Sequence, residues 1–145
     1  MSTESTIKDL VQTLEDGRKG FTDAADKLAT DGNAQLAGEF QQFAEQRQRF
    51  SAELRTVATA NGVALEEDGS IAGAIHRGWI ALKDALTGDD ATAIAAAAKS
   101  GEDHAVSEYE KALDGDSLPS DVSTLVKRQA EEIRTVRDRV AALAA

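Results

Sequence analysis

Four long helical segments each carry one polar side chain near the middle of their apolar stripe. At about 100° of rotation per residue, these side chains project together with the apolar residues one turn before and after them. They are Arg18, Arg47, Glu102 and Gln129. Charged groups in an apolar interior must be paired or must bind something. The sequence therefore predicts a central polar layer, with Glu15 at its edge one turn before Arg18.

Three kinds of chemistry fit such a layer. The first is a structural network, in which the two arginines pair with Glu15 and Glu102 while Gln129 bridges them. The second is a dimetal carboxylate centre built on three glutamates, which would be Glu15, Glu102 and Glu132. The third is a small anion held between the two guanidinium groups.

The dimetal interpretation lacks ligands. Such a centre takes Glu from two helices and Glu-x-x-His from the other two. The second and fourth long segments contain no His. Their nearest matches to the Glu-x-x-His motif are Glu45-x-x-Gln48 and Glu132-x-x-Thr135. Two arginines in the same layer would also repel a divalent cation. We therefore expect no metal and no other cofactor, with iron or manganese only as the alternative.

The remaining residues that could do chemistry are better explained as structure. His104 lies off the centre of its stripe and is predicted to be on the surface, and the same holds for His76 in the short segment. Gly17 and Gly20 fall inside a helical periodicity, which favours close helix approach over phosphate binding. Trp79, the only Trp, is predicted to anchor the connection that carries it. No residue pattern of a catalytic triad or a paired-acid cleft is present.

Helical periodicity accounts for nearly the whole chain, which reads as one domain over residues 1–145. The predicted helices span about 4–29, 33–60, 71–86, 89–113 and 120–144. Short turns join the first to the second and the fourth to the fifth, so each pair should be antiparallel. The long connection from Gly62 to Gly88 carries the short helix. The predicted fold is all-α, an antiparallel four-helix bundle with the single long crossover of ferritin-like proteins.

The composition limits the kinds of partner that we expect the protein to bind. The net charge is −10, which argues against nucleic acid and against an anionic membrane surface. The chain has no Cys, so thiolate metal sites and disulfides are excluded. It has neither a signal peptide nor an apolar run of about 20 residues, which favours a cytoplasmic protein. The small residues from Ala93 to Ala98 would allow a homo-oligomer.

Several motifs resemble a known family. They are Leu14-Glu15-Asp16-Gly17, the crossover motif Gly73-Ala74-Ile75-His76-Arg77-Gly78-Trp79, and Gly101-Glu102-Asp103. Together they are similar to the bacterial ferritin-like family of uncharacterised proteins, a domain of unknown function. This resemblance implies a ferritin-like fold and no established reaction.

A more distant resemblance bears on the metal question. Glu102 followed seven residues later by Tyr109 is similar to the third helix of rubrerythrin-like dimetal proteins. The chain departs from those proteins because it lacks both Glu-x-x-His motifs. It also has Arg137 where members of its own family often have His. Both departures argue against ferroxidase or peroxidase activity.

These observations favour a non-enzymatic bundle with a structural, binding or stress-related role. One alternative is an atypical di-iron or manganese carboxylate protein, acting as an oxidase or in metal storage. The other is an interaction module that docks a protein partner, of unknown identity, on the third long helix or on the crossover.

Overall fold

A computed structural model describes residues 2–65 and 77–145 of the chain. It is all-helical, and the described residues contain no strand. The helices are α1 (Thr3–Thr30), α2 (Ala34–Ala60), α3 (Ile80–Ala85), α4 (Ala91–Asp114) and α5 (Ser120–Ala144). The four long helices begin and end within two residues of the predicted bounds. The predicted short helix differs: its residues 71–76 lie outside the described residues, and the remainder forms a 3₁₀ turn, Arg77–Trp79, followed by α3.

Local sequence signals set the helix ends. The Ser2 hydroxyl accepts a hydrogen bond from the Ser5 N–H and so caps α1, and the Asp90 carboxylate caps α4 in the same way. After α1 and α2 the chain turns through glycines with φ of +85° at Gly32 and +78° at Gly62. These left-handed conformations are easily adopted only without a Cβ, which explains why α2 ends at Ala60, as its predicted span had it.

The four long helices form two hairpins, α1 with α2 and α4 with α5. The hairpins meet where α1 packs on α4 and, less extensively, where α2 packs on α5. Consequently α2 and α4 face each other diagonally across the centre. Residues 77–85 of the crossover pack against α1 and α4. No helix among the described residues is long and apolar enough to cross a membrane.

The apolar interior is divided into two clusters, one toward each end of the long helices. The first surrounds Leu14, Phe50 and Tyr109, and the second surrounds Phe21, Phe40 and Trp79. On α2 the boundary between the clusters falls between Ala44 and Phe50, and on α4 it falls between Ala98 and Ala105. Polar side chains fill this boundary.

Candidate functional site

A buried ion pair crosses the centre of the molecule between the two apolar clusters. Arg47 on α2 donates two hydrogen bonds to Glu102 on α4, from Nη1 to Oε1 and from Nη2 to Oε2, each 2.5 Å long. The side chain of Arg47 is 1% exposed and that of Glu102 is 0% exposed. Parallel two-point pairing of this kind is the strongest arrangement open to a guanidinium and a carboxylate. Because α2 and α4 are diagonal neighbours, the pair spans the space that a central ligand would need.

The remaining surface of the guanidinium is also engaged. Arg47 Nε donates to Gln46 Oε1 at 3.2 Å. The Phe21 ring lies 5.4 Å from the guanidinium carbon, within range of a cation–π contact. A Cβ placed on Gly17 would lie 3.2 Å from Arg47 Nη1, so the absence of a side chain at this position gives the arginine its room. The pair is therefore supported from α1 as well as from α2 and α4.

Trp79 closes the side of the molecule next to this pair. Its indole is 2% exposed and lies between α1 and α4, where a Cβ on either Gly20 or Gly101 would overlap it. The Phe21 ring stands edge-on to Trp79 at 5.0 Å between centroids, so one phenylalanine contacts both the indole and Arg47. This placement bears out the prediction that Trp79 anchors the crossover, and it explains two of the glycines.

A second buried polar group lies in the first apolar cluster. Gln129 on α5 is 0% exposed and accepts a hydrogen bond from the Tyr109 hydroxyl at 2.7 Å. Its amide nitrogen donates to the Phe50 carbonyl oxygen at 3.1 Å and to Glu53 Oε1 at 3.2 Å. Gln129 thus ties α5 to α2 and α4, and it does not bridge the Arg47–Glu102 pair as the sequence predicted.

The environment of Tyr109 keeps its phenol un-ionised. Burial raises the pKa of Tyr109 well above its ordinary value, and this is the largest effect. The positive charge of Arg47 opposes the rise, whereas the carboxylates of Glu102 and Glu53 add to it. A neutral phenol can donate a hydrogen bond to the Gln129 amide oxygen throughout the physiological range. Its role in the structure is that of a hydrogen-bond donor between α4 and α5.

Arg18 and Glu15 occupy the edge of α1, outside the central pair. Their side chains are 38% and 19% exposed, and Arg18 Nε lies 3.5 Å from Glu15 Oε1. This is an ion pair within one helix, separate from Arg47 and Glu102. The predicted place for Arg18 at the centre of the layer differs from the structure because Gly17, one residue earlier, faces Arg47 instead.

The three glutamates considered as metal ligands are not brought together. Glu15 is paired with Arg18, both oxygens of Glu102 are taken by Arg47, and Glu132 is a partly exposed residue of α5. Within residues 2–65 and 77–145, no three Asp, Glu or His side chains form a group that could hold a metal ion. The donor set therefore does not fit a dimetal centre.

Of the two histidines, His104 lies among the described residues and His76 does not. His104 is partly buried on α4, not on the surface as predicted, and its Nε2 has no hydrogen-bond partner in the described part of the chain. Its Cβ lies beside Gly78 of the 3₁₀ turn. His76, which was also predicted to be exposed, lies outside the described residues.

Sequence reasoning missed the polar roles of Tyr109 and Glu53. A usable signal was present for the first, because Tyr109 is the only Tyr and lies on an apolar stripe. A buried phenol hydroxyl usually finds a partner, so a nearby amide could have been sought. Glu53 offered no such signal, because its role depends on the packing of α5 against α2.

Residues 2–115 match the model of a family described as a domain of unknown function, DUF2383. The match covers more than half of the chain, and the chain belongs to this family. Arg47, Glu102 and Trp79 lie inside the matched segment, whereas Gln129 lies beyond it. No protein with a curated description matches the sequence.

Proposed function

We propose that this chain is a non-enzymatic, ferritin-like four-helix bundle with a structural, binding or stress-related role. In this proposal the place of a metal layer is taken by the Arg47–Glu102 ion pair, with the separate hydrogen bonds of Gln129 in the neighbouring apolar cluster. The pairwise packing of the four long helices and the long connection between two hairpins support the bundle topology.

One observation carries the proposal: both oxygens of Glu102 are bound by Arg47 in the interior. A metal ion would need the same lone pairs, and it would have to displace a guanidinium whose side chain is only 1% exposed. Breaking a buried ion pair leaves an uncompensated charge and costs about 3–5 kcal/mol. The centre is therefore satisfied by its own side chains and offers no ligand for iron or manganese.

The competing proposal, an atypical iron or manganese carboxylate protein, requires glutamates that are not paired with arginine. It needs Glu102 free of Arg47 and Glu15 free of Arg18, so that both can turn toward Glu132. Neither is free here. This alternative predicts that metal uptake depends on Glu102 and survives when Arg18 is replaced by Met.

The test is metal retention and oxygen chemistry by the purified protein. The chain is soaked separately with ferrous iron, manganese and zinc, desalted, and measured by elemental analysis. Oxygen consumption after ferrous iron addition is followed with an electrode. We expect retention far below one ion per chain and oxygen consumption at the rate of the buffer alone.

Retention of about two ions per chain, the stoichiometry of a dimetal centre, would overturn the proposal if Glu102→Ala lost them. The matched control is Glu131→Ala, which removes an exposed carboxylate from α5. Ions lost equally in both variants would indicate weak surface binding, which leaves the centre closed as proposed.

A further inference from the structure

A shallow, open surface groove runs along the second half of α2, beside the first turns of α5. It has a volume of about 600 Å³ and is lined mainly by apolar atoms. Its lining residues come from α2 and the first turns of α5: Arg49, Ala52, Glu53, Thr56, Val57, Ala60 and Leu125. Residues 77–85 of the crossover pack on α1 and α4. The small-residue segment of α4 is a poorer surface, because most of its alanines are buried.

The charge distribution indicates which partner this face can accept. Apart from the buried Arg47–Glu102 pair, α2 and α5 together carry seven basic and seven acidic residues. By the same count α1 and α4 carry six basic and ten acidic residues. The chain as a whole has a net charge of −10, so two copies repel each other over most of their surfaces. Taken as whole helices, α2 and α5 are the neutral exception.

The two ends of the groove have opposite charges. At one end Arg49 is exposed, with its guanidinium 5.5 Å from the Phe50 ring and no carboxylate partner among the described residues. At the other end the exposed carboxylate of Asp121 accepts a hydrogen bond from Asn61 at 3.0 Å, beside the C-terminus of α2. The backbone carbonyls at a helix C-terminus add partial negative charge there.

We propose that this groove is the interface of a homodimer with two-fold symmetry, in which the α2 helices of two copies pack antiparallel. The groove spans residues 49–60 of α2, so a two-fold axis near its middle brings each Arg49 to the Asp121 end of the other copy. The axis also places Ala52 against Val57 of the other copy. An interface of this kind is self-complementary, as two-fold symmetry requires.

Charge reversal tests the pairing in the pure protein. Arg49→Asp and Asp121→Arg should each raise the dimer dissociation constant by about tenfold or more, since each places like charges at both ends of the interface. The double variant restores opposite charges and should return toward the wild-type value. The matched control, Lys83→Asp, makes the same charge change on α3 and should leave dimerisation unchanged. Sedimentation equilibrium from micromolar to millimolar protein measures all five proteins, with circular dichroism as the check on folding.

Cross-linking provides an independent test, because the chain has no native cysteine. Thr56 is exposed and lies near the proposed axis, so Thr56→Cys should form a disulfide-linked dimer under mild oxidation. Thr87→Cys, exposed beyond α3, should not. A wild-type monomer over the whole concentration range would overturn the proposal. So would equal cross-linking at the two cysteines, or a double charge variant no better than the singles.

Discussion

The buried Arg47–Glu102 pair should show strong energetic coupling between its two members. Arg47→Met keeps most of the stem but removes both hydrogen bonds to Glu102, the bond to Gln46 and the contact with Phe21. It leaves a carboxylate that is 0% exposed without its counter-ion. We expect a loss of about 3–5 kcal/mol in the free energy of unfolding, and the same for Glu102→Leu.

The double variant should recover most of this loss. With both charges removed, Met and Leu can fill the boundary between the two apolar clusters with apolar atoms like those on either side. Replacing a buried ion pair by apolar side chains is often neutral or stabilising. We expect Arg47→Met/Glu102→Leu to lie within about 1.5 kcal/mol of the wild type, which gives a coupling energy of several kcal/mol.

Urea unfolding followed by circular dichroism measures the four proteins of this cycle. With a slope of about 2 kcal/mol per molar urea, each single variant should lower the midpoint by about 2 M. The control is the Arg139–Glu39 pair, which also makes two hydrogen bonds, from Nε at 2.6 Å and from Nη2 at 2.9 Å, but has an arginine that is 49% exposed. Its cycle should give a much smaller coupling. Equal couplings, or losses in the first cycle that simply add, would refute the argument from burial.

Two further predictions concern the surroundings of this pair. Gly20→Ala should destabilise the protein by about 2 kcal/mol or more and shift the Trp79 fluorescence to the red, because the new methyl overlaps the indole. The control is Gly38→Ala on α2, whose new methyl meets open space and should stabilise the protein by up to about 1 kcal/mol. Equal effects of the two substitutions on stability would contradict the argument from overlap. The phenol of Tyr109 should titrate only as the chain unfolds, because burial raises its pKa in the folded state. Stability from the un-ionised phenol is therefore fully present below the ordinary pKa of about 10 and is lost as the pH rises above it. Absorbance at alkaline pH, recorded together with circular dichroism, checks this, and a phenol that ionised before the helices melted would disprove it.

The sequence was sufficient to single out Arg47 and Glu102, but it did not distinguish Arg18 from its neighbour. Helical phase gives the direction of each side chain to within a few tens of degrees, and Gly17 and Arg18 both fall between Leu14 and Phe21. Which of these two residues faces the interior depends on the space that side chains of the neighbouring helix α2 need. The guanidinium of Arg47 fills that space, so the residue without a side chain lies inside and the arginine lies at the edge.

The position of Gln129 along the long axis of the helices could not be predicted from the sequence either. Counting from the helix ends places it level with the other polar residues, because such counting assumes that all four helices begin at the same level. In the structure Gln129 contacts Phe50 and Tyr109, which belong to the first apolar cluster. The offset between α5 and α2 comes from three-dimensional packing, to which residue counts are insensitive.

The packing of α4 indicates what the central pair contributes to the fold. The buried face of this helix repeats similar small side chains, with Ala98, Ala105 and Ala112 two turns apart. Such a face distinguishes poorly between the native alignment and one shifted along the helix. A shift of α4 by one turn, about 5.4 Å, would bring Ala98 or Val106 opposite Arg47 and leave a buried guanidinium without an acceptor. We infer that Glu102 fixes the axial register of α4.

This argument separates stability from uniqueness. The Arg47→Met/Glu102→Leu variant should remain stable, yet it should populate more than one alignment of α4. The measurement is an amide nitrogen–proton NMR spectrum, in which we expect broadened or doubled resonances along α4 and sharp single resonances in the wild type. One sharp set in the double variant would show that Gln129 and the glycine-flanked Trp79 hold the register without the ion pair.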